Sequence, residues 1–515
     1  MAESIVYLDG ETLTLTDVYM VAYHQVKVEV ASDSWSKVLA SRGVIERILR
    51  SGETVYGVNT GFGSLVNTRI EIDQLKELQQ NLIRSHATAI GPAMEKEMVR
   101  AMMVIRLNSL CKGYSGAHPD VLSQIVEFLN QNITPYVPRI GSLGASGDLA
   151  PLSHIALSLI GEGYVLHQGE RVPTHKILKE KGLIGVELRA KDGLSLINGT
   201  SQMAAYLAIS AYKLSKILPL ADIIYCSSLD AAKGSATPLI ELVHDARPHP
   251  GQIAVAKRMR KIIQDSKILE SHKNCERVQD PYSFRCAPQV HGAVHESFQR
   301  LLDTLQIELN SSTDNPLVFP DAKNPGPHEI VSQGNFHGEI IGIVSDSMVL
   351  SLFELGSISE RRMDQLLDVA KRAPKPFLAY DAGLESGLMI VQYVAGASLS
   401  EIHGQILPRT GFSTSTSAGQ EDHVSMGATA AFNLFKATQH MSEILACELM
   451  IAIDAMEFYD ERSSPIVEEL RRCARLIYPK RSGDVSTSDY IMNIAELINE
   501  GTWLSTIESI HGLLS

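Results

Sequence analysis

Met441-Ser442-Glu443-Ile444-Leu445-Ala446-Cys447-Glu448-Leu449-Met450-Ile451-Ala452-Ile453-Asp454-Ala455-Met456 is the stretch that decides the fold class. Met441, Leu445, Leu449, Ala452 and Met456 recur three and four residues apart, so they share one face of an α-helix. Ile341, Val344, Met348, Leu352 and Leu355 repeat the pattern earlier in the chain. Both patterns outrun an ordinary globular helix, which predicts a helical bundle able to associate with copies of itself. A Met stripe at this spacing reads as core packing. From Asn198 onward the chain reads as mostly long helices. Ahead of it come short β-like runs at 4–8 and 26–30, a Gly-rich loop over 51–70 and helical patterns over 73–85 and 95–110. An irregular segment at 135–151 and a small β-containing excursion at 166–193 follow. The expectation is a mainly α protein, an elongated helical bundle over 201–515 with a smaller irregular N-terminal region over 1–200. The two parts are not expected to fold independently.

Composition narrows the functional classes. The 515 residues are 44% hydrophobic and 20% charged, which suits a globular chain with a large core rather than a disordered one. There are 46 basic and 59 acidic residues, a net charge of −13. That balance argues against nonspecific nucleic-acid binding, which needs clustered Lys and Arg. The N-terminus has neither a basic region nor a long apolar core, so no secretory signal is expected. The most apolar stretch, 340–358, is interrupted by Asp346 and Glu354 and reads as a core helix, so no membrane span is expected. The six cysteines form no Cys-x-x-Cys pair, which predicts reduced thiols in a cytoplasmic protein and no metal site.

Four segments carry polar chemistry that a plain bundle does not need. The first is Gly141-Ser142-Leu143-Gly144-Ala145-Ser146-Gly147-Asp148-Leu149-Ala150-Pro151-Leu152. Its glycines suit turns, but no Gly-Lys-Ser/Thr follows as in a phosphate loop, and no Gly-x-Ser-x-Gly elbow is present. The second is Asn198-Gly199-Thr200, which reads by itself as a cap or turn. In the third, Gln279 to Gln289, two prolines bound a rigid stretch presenting Tyr282 and Arg285. The fourth, Gly419-Gln420-Glu421-Asp422-His423, is expected to open a long helix, where its acids would complement the dipole.

Taken together and in order, with Tyr56-Gly57-Val58-Asn59-Thr60-Gly61-Phe62-Gly63 in front, these segments resemble the aromatic amino acid ammonia-lyase family, which includes histidine, phenylalanine and tyrosine ammonia-lyases and related aminomutases. Thr313-Asp314-Asn315-Pro316-Leu317 and Gly334-Asn335-Phe336-His337 extend the resemblance, which covers roughly residues 5 to 510. It implies carbon–nitrogen lyase activity on an amino acid as a small-molecule substrate, with no external cofactor. The electrophile is implied to be a methylidene-imidazolone made from the chain itself: the Gly147 nitrogen attacks the Ala145 carbonyl carbon, and two waters are lost as Ser146 becomes an exocyclic methylidene. The chemistry calls for such a group, because an amine leaves poorly and the β-hydrogen is very weakly acidic. Small neighbours let the backbone bend that tightly. The irregular N-terminal region would thus carry the imidazolone.

The remaining roles follow from the same resemblance. Arg285 is implied as a bidentate partner for the substrate carboxylate, and Asn198 as a partner for that carboxylate or the ring. Tyr56 is the candidate base for the β-proton, with Tyr282 and Glu421 left open beside it. Phe336 is expected beside the ring. Ser85-His86 is the histidine-type pair at the start of the substrate pocket, and Glu421 stands where phenylalanine and tyrosine enzymes tend to carry Gln. A carboxylate suits an imidazole N–H, whereas a benzene ring would leave it buried and unpaired. Both positions therefore imply L-histidine as substrate and trans-urocanate as product, and Gln279 is expected in the same polar pocket. Gly419 and His291 depart from the histidine branch, where Asn and Met are usual. A homotetramer with active sites shared between subunits is also implied.

Overall fold

The computed structural model describes residues 5–55, 57–60, 70–273, 275, 277–320 and 329–514. The protein is mainly α, as expected, and among the described residues short strands are confined to the first part of the chain and to 317–318 and 330–331. The residues group into two compact units. One comprises Met1–Ile209, Leu302–Asp346 and Pro408–Phe432, and the other Ser210–Leu301, Ser347–Leu407 and Asn433–Ser515. Four long helices, Ser201–Ala231, Ala287–Leu309, Glu339–Leu367 and Gly427–Ala455, contribute residues to both.

In the first unit, Ile5–Leu8 and Lys27–Val30 pair in parallel across the helix Leu15–Tyr23. The β excursion is a hairpin, Tyr164–His167 with Glu170–Pro173, joined through Gln168 and Gly169. Both turn residues have positive φ (52° and 83°), the backbone that a tight two-residue hairpin demands. The helix Lys96–Cys111 is buried from Met98 to its end, so it forms the spine of this unit. Three further helices pack on one another: Leu75–His86, Leu149–Leu159 and Asp192–Ile197. Their ends matter most. The first ends at His86, the second begins directly after Asp148, and the third hands the chain to Asn198.

The second unit is held by buried charge as well as by apolar faces. Arg362 Nε and Nη2 donate to the two oxygens of Glu448 at 2.5 and 2.9 Å, and Ser228 donates to the same carboxylate at 2.7 Å. Arg362 and Glu448 are fully buried, a geometry in which the bidentate contact offsets the cost of desolvation. Among the described residues one helix, Glu339–Leu367, is long and apolar enough to cross a membrane. More than half of that stretch is buried, and its Asp346 carboxylate accepts from the Thr410 N–H and hydroxyl, which fits a core helix.

One expectation is corrected here. The segment 419–423 does not open the long helix, which begins at Gly427. Glu421 instead pairs through its backbone with Thr416, each N–H donating to the other's carbonyl, and Met426 at φ 53° breaks helical continuity just before Gly427.

Candidate active site

The Ala145-Ser146-Gly147 tripeptide is held mainly by backbone. The Leu143 carbonyl accepts from Met426 N–H at 2.9 Å. The Gly144 carbonyl accepts from Gly338 N–H at 3.1 Å and from the Ser425 hydroxyl at 3.0 Å. Gly147 bridges to Gly199, and Asp148 N–H donates to the Gly199 carbonyl at 2.7 Å. Gly147 has φ +73°, and a Cβ there would run into the backbone of Gly199, coming within 2.6 Å of its nitrogen. Glycine is therefore required at 147 on two counts, conformation and space.

Asp148 anchors the far side of the turn. Its carboxylate accepts from the Ser142 hydroxyl at 2.7 Å and from the N–H groups of Gln202 and Met203 at 2.7 and 3.1 Å. The two N–H groups belong to the first turn of the helix Ser201–Ala231, where a carboxylate caps free donors. Burial pushes its pKa up to about 6 against the pull of these donors.

Around this turn the described residues form a cavity of about 490 Å³, lined by Ala145, Ser146, Phe336, Glu421 and the two histidines His337 and His423, among others. The Ser146 hydroxyl donates to Glu421 Oε1 at 2.7 Å, and the Thr416 hydroxyl holds the other carboxylate oxygen at 2.8 Å. Asn198 Nδ2 donates to the Ser146 carbonyl at 2.8 Å, while its Oδ1 is buried without a partner. His86 is half-buried at its helix end. Its Nδ1 lies 2.8 Å from the Leu82 carbonyl and 3.0 Å from the Ser85 hydroxyl. Burial lowers its pKa, opposed by the Leu82 carbonyl and by the negative charge of Glu421.

Of the residues singled out in the sequence, Ala145, Ser146, Gly147, Asn198, His86, Phe336 and Glu421 thus gather in the first unit, with Ser85 exposed beside His86. Gln279, Tyr282 and Arg285 belong to the second. There the short helix Tyr282–Arg285 stacks the Arg285 guanidinium on the Tyr282 ring at 4.5 Å, and Arg285 Nε is buried without a partner. Tyr282 is largely exposed, and Gln279 lies in an exposed stretch. Tyr56 lies outside the described residues. Its neighbours are anchored: Asn59 accepts from Val55 N–H at 2.8 Å and donates to the Glu53 carbonyl at 2.7 Å.

Several contributors were not marked by sequence reasoning. Thr416 sits in a hydroxyl-rich run, 413–417, whose density of Ser and Thr was the available signal. Lys191 forms a fully buried ion pair with Asp314 at 2.7 Å, which explains the acid of the Thr-Asp-Asn-Pro-Leu motif as an anchor. Asn315 in the same motif accepts from Gln333 N–H at 2.8 Å and lines the cavity.

The sequence profile described as "Aromatic amino acid lyase" matches residues 13–476. The chain is 42% identical over 458 residues to the histidine ammonia-lyase of Myxococcus xanthus, spanning 89% of each sequence. Among solved structures it is similar to a histidine ammonia-lyase from Trypanosoma cruzi, with a TM-score of 0.91, 36% identity and coverage of 98% of this chain and 95% of that one. It matches a tyrosine aminomutase from Streptomyces globisporus equally well, with a TM-score of 0.92, 35% identity and coverage of 98% and 99%.

Proposed function

This chain belongs to the aromatic amino acid lyase family, and on that premise we propose that it is a histidine ammonia-lyase, releasing ammonia from L-histidine to give trans-urocanate. The observation that carries the choice of substrate is the carboxylate of Glu421 in the wall of the cavity that contains Ser146, with His86 close enough to feel its charge.

The residues at 145–147 fit the family's internal prosthetic group. Gly147 has a left-handed backbone and no Cβ to strike Gly199, and Asn198 holds the Ser146 carbonyl through Nδ2 while its Oδ1 stays unpartnered. A methylidene-imidazolone formed there supplies the electrophile that lets the amine depart. Loss of the Ser146 hydroxyl during its formation also removes the group that engages Glu421 Oε1. That oxygen is then free to accept the N–H of a substrate imidazole, while Thr416 keeps the carboxylate oriented through Oε2. Arg285, whose guanidinium fork suits a carboxylate, is assigned to the substrate's α-carboxylate. Tyr56 is assigned to removal of the β-proton, with Tyr282 as the alternative.

The apolar positions Ile340, Ile343 and Leu350 are exposed along one helix, and Ile390 and Tyr393 along another. Exposed apolar rows of this kind support assembly into a homotetramer, the state in which we expect the enzyme to act. We place it in the cytoplasm, with free thiols.

The test is a substrate panel on purified protein without added cofactor, read by product identity. Urocanate from L-histidine is expected. Turnover of tyrosine or phenylalanine with none of histidine would overturn the assignment. A second reading, an aminomutase of the same family, is supported by the equally good fold match to a tyrosine aminomutase and predicts a β-amino acid as the main product in chromatography.

A further inference from the structure

Beside the cavity, three side chains converge with no role in the elimination. We propose that His337, Glu339 and His423 form a binding site for a divalent cation of the zinc class, set in the wall of the active-site cavity. Their donor atoms all lie within 4.8 Å of one another. Glu339 Oε2 is 3.9 Å from His337 Nδ1 and 3.7 Å from His423 Nε2, and the two imidazoles stack at 5.7 Å with planes 7° apart.

These separations are too long for hydrogen bonds, and Glu339 Oε2 is a buried atom with no partner. They are close to what a metal requires. Ligands about 2.0–2.2 Å from a tetrahedral zinc stand roughly 3.4 Å apart, so Glu339 is a few tenths of an ångström beyond that spacing from each imidazole, and the two parallel rings must turn for their in-plane lone pairs to meet at one ion. The tautomer of His337 points the same way. Its Nε2 lies 3.3 Å from the carbonyl of His423, and a carbonyl can only accept, so Nε2 carries the proton. In the neutral ring Nδ1 then presents a lone pair toward a carboxylate oxygen. Two lone-pair sites facing each other repel, and a cation between them turns the repulsion into coordination. A metal-bound histidine whose other nitrogen donates to a backbone carbonyl is the usual supporting arrangement. Two imidazoles and one carboxylate select zinc and its neighbours over magnesium or calcium, and leave a fourth position for water.

The position gives the site its interest. Gly338, between two of the ligands, donates to the Gly144 carbonyl, and His423 lies two residues from Glu421. A bound ion would tie the 334–339 turn to the 421–423 segment, and both wall the space in front of Ser146. The site stands on this geometry and is independent of the substrate assignment.

Equilibrium dialysis of the full chain against zinc, with metal content read by atomic emission, tests it. Exposed Cys275 is replaced by Ser in every sample, since a free surface thiol would itself bind zinc. One zinc per chain is expected. His423→Ala and His337→Ala should each weaken binding by about tenfold or more. Glu339→Gln, which keeps the shape of the side chain, should also weaken it. Thermal melting of each variant confirms folding. Absence of bound zinc in the parent, or variants that bind as tightly as the parent, would overturn the site.

Discussion

Replacing Glu421 by Gln isolates the interaction on which the substrate assignment turns. In the structure the carboxylate is fixed from one side by the Thr416 hydroxyl at 2.8 Å, and its other oxygen faces Ser146 at 2.7 Å. Glutamine keeps the size and one acceptor, so Thr416 can still orient it, but the charge goes. A hydrogen bond to a charged partner contributes about 1.5–3 kcal/mol and a neutral one about 0.5–1.5 kcal/mol. The difference, about 1–2 kcal/mol, corresponds to roughly a 5- to 30-fold loss in kcat/KM for L-histidine. A substrate with a benzene ring has no donor to make such a bond, so its kcat/KM should hold or rise as a buried unpaired charge is removed. Competing L-histidine against L-phenylalanine, with urocanate and cinnamate separated by chromatography, measures the ratio directly. An unchanged ratio would mean that Glu421 does not touch the substrate ring, and the reasoning from imidazole to carboxylate would fail.

Gly147→Ala should cost about 2–5 kcal/mol, from about 1–2 for a left-handed Cβ and about 1–3 for displacing the Gly199 backbone. A lower melting temperature and an intact mass that keeps both waters are expected; wild-type dehydration and melting would contradict this. Arg285→Lys loses the bidentate fork and should raise KM by about 10- to 100-fold for every amino acid substrate alike, so an unchanged KM in steady-state assays would remove Arg285 from carboxylate binding. Asp230, buried with the hydroxyls of Ser266 and Ser463 on its carboxylate, has its pKa pushed up by burial from 3.8 to about 7. The folded state therefore holds this proton more tightly than the unfolded one, and the stability it brings is full below about pH 4 and lost as pH rises to about 7. Denaturant titrations should show that loss, up to about 1.4 kcal/mol per pH unit, flattened in Asp230→Asn; identical slopes would refute it.

The helical character was readable because the apolar periodicities at 341–355 and 441–456 are long enough to dominate; the first falls within a helix of 29 residues, and the second within another of 29 residues except for Met456, which begins a short 3-10 turn. The chemistry of the tripeptide was readable from residue types. Its support was not, because that support is largely main chain: Gly199, Gly338 and Met426 contribute N–H and carbonyl groups that any residue possesses. The placement of 419–423 was misread for a related reason. Two acids ahead of an apolar run look like a helix start, and only the long-range pairing with Thr416 and the positive φ of Met426 reveal a loop. The role of Thr416 and the meeting of His423 with His337 and Glu339 depend on segments far apart in sequence, for which one chain offers no local signal.

The turn at 144–147 is gripped mainly by peptide groups, so the ring closure proposed there should depend on the glycines more than on most side chains of the cavity. Engineering can exploit that separation. Libraries that randomise His86, Phe336 and Gln420 together, while leaving Gly144, Gly147, Gly199 and Glu421 untouched, should return mostly self-activating proteins with altered appetites for amino acids. Variation at the three glycines should instead return inert ones.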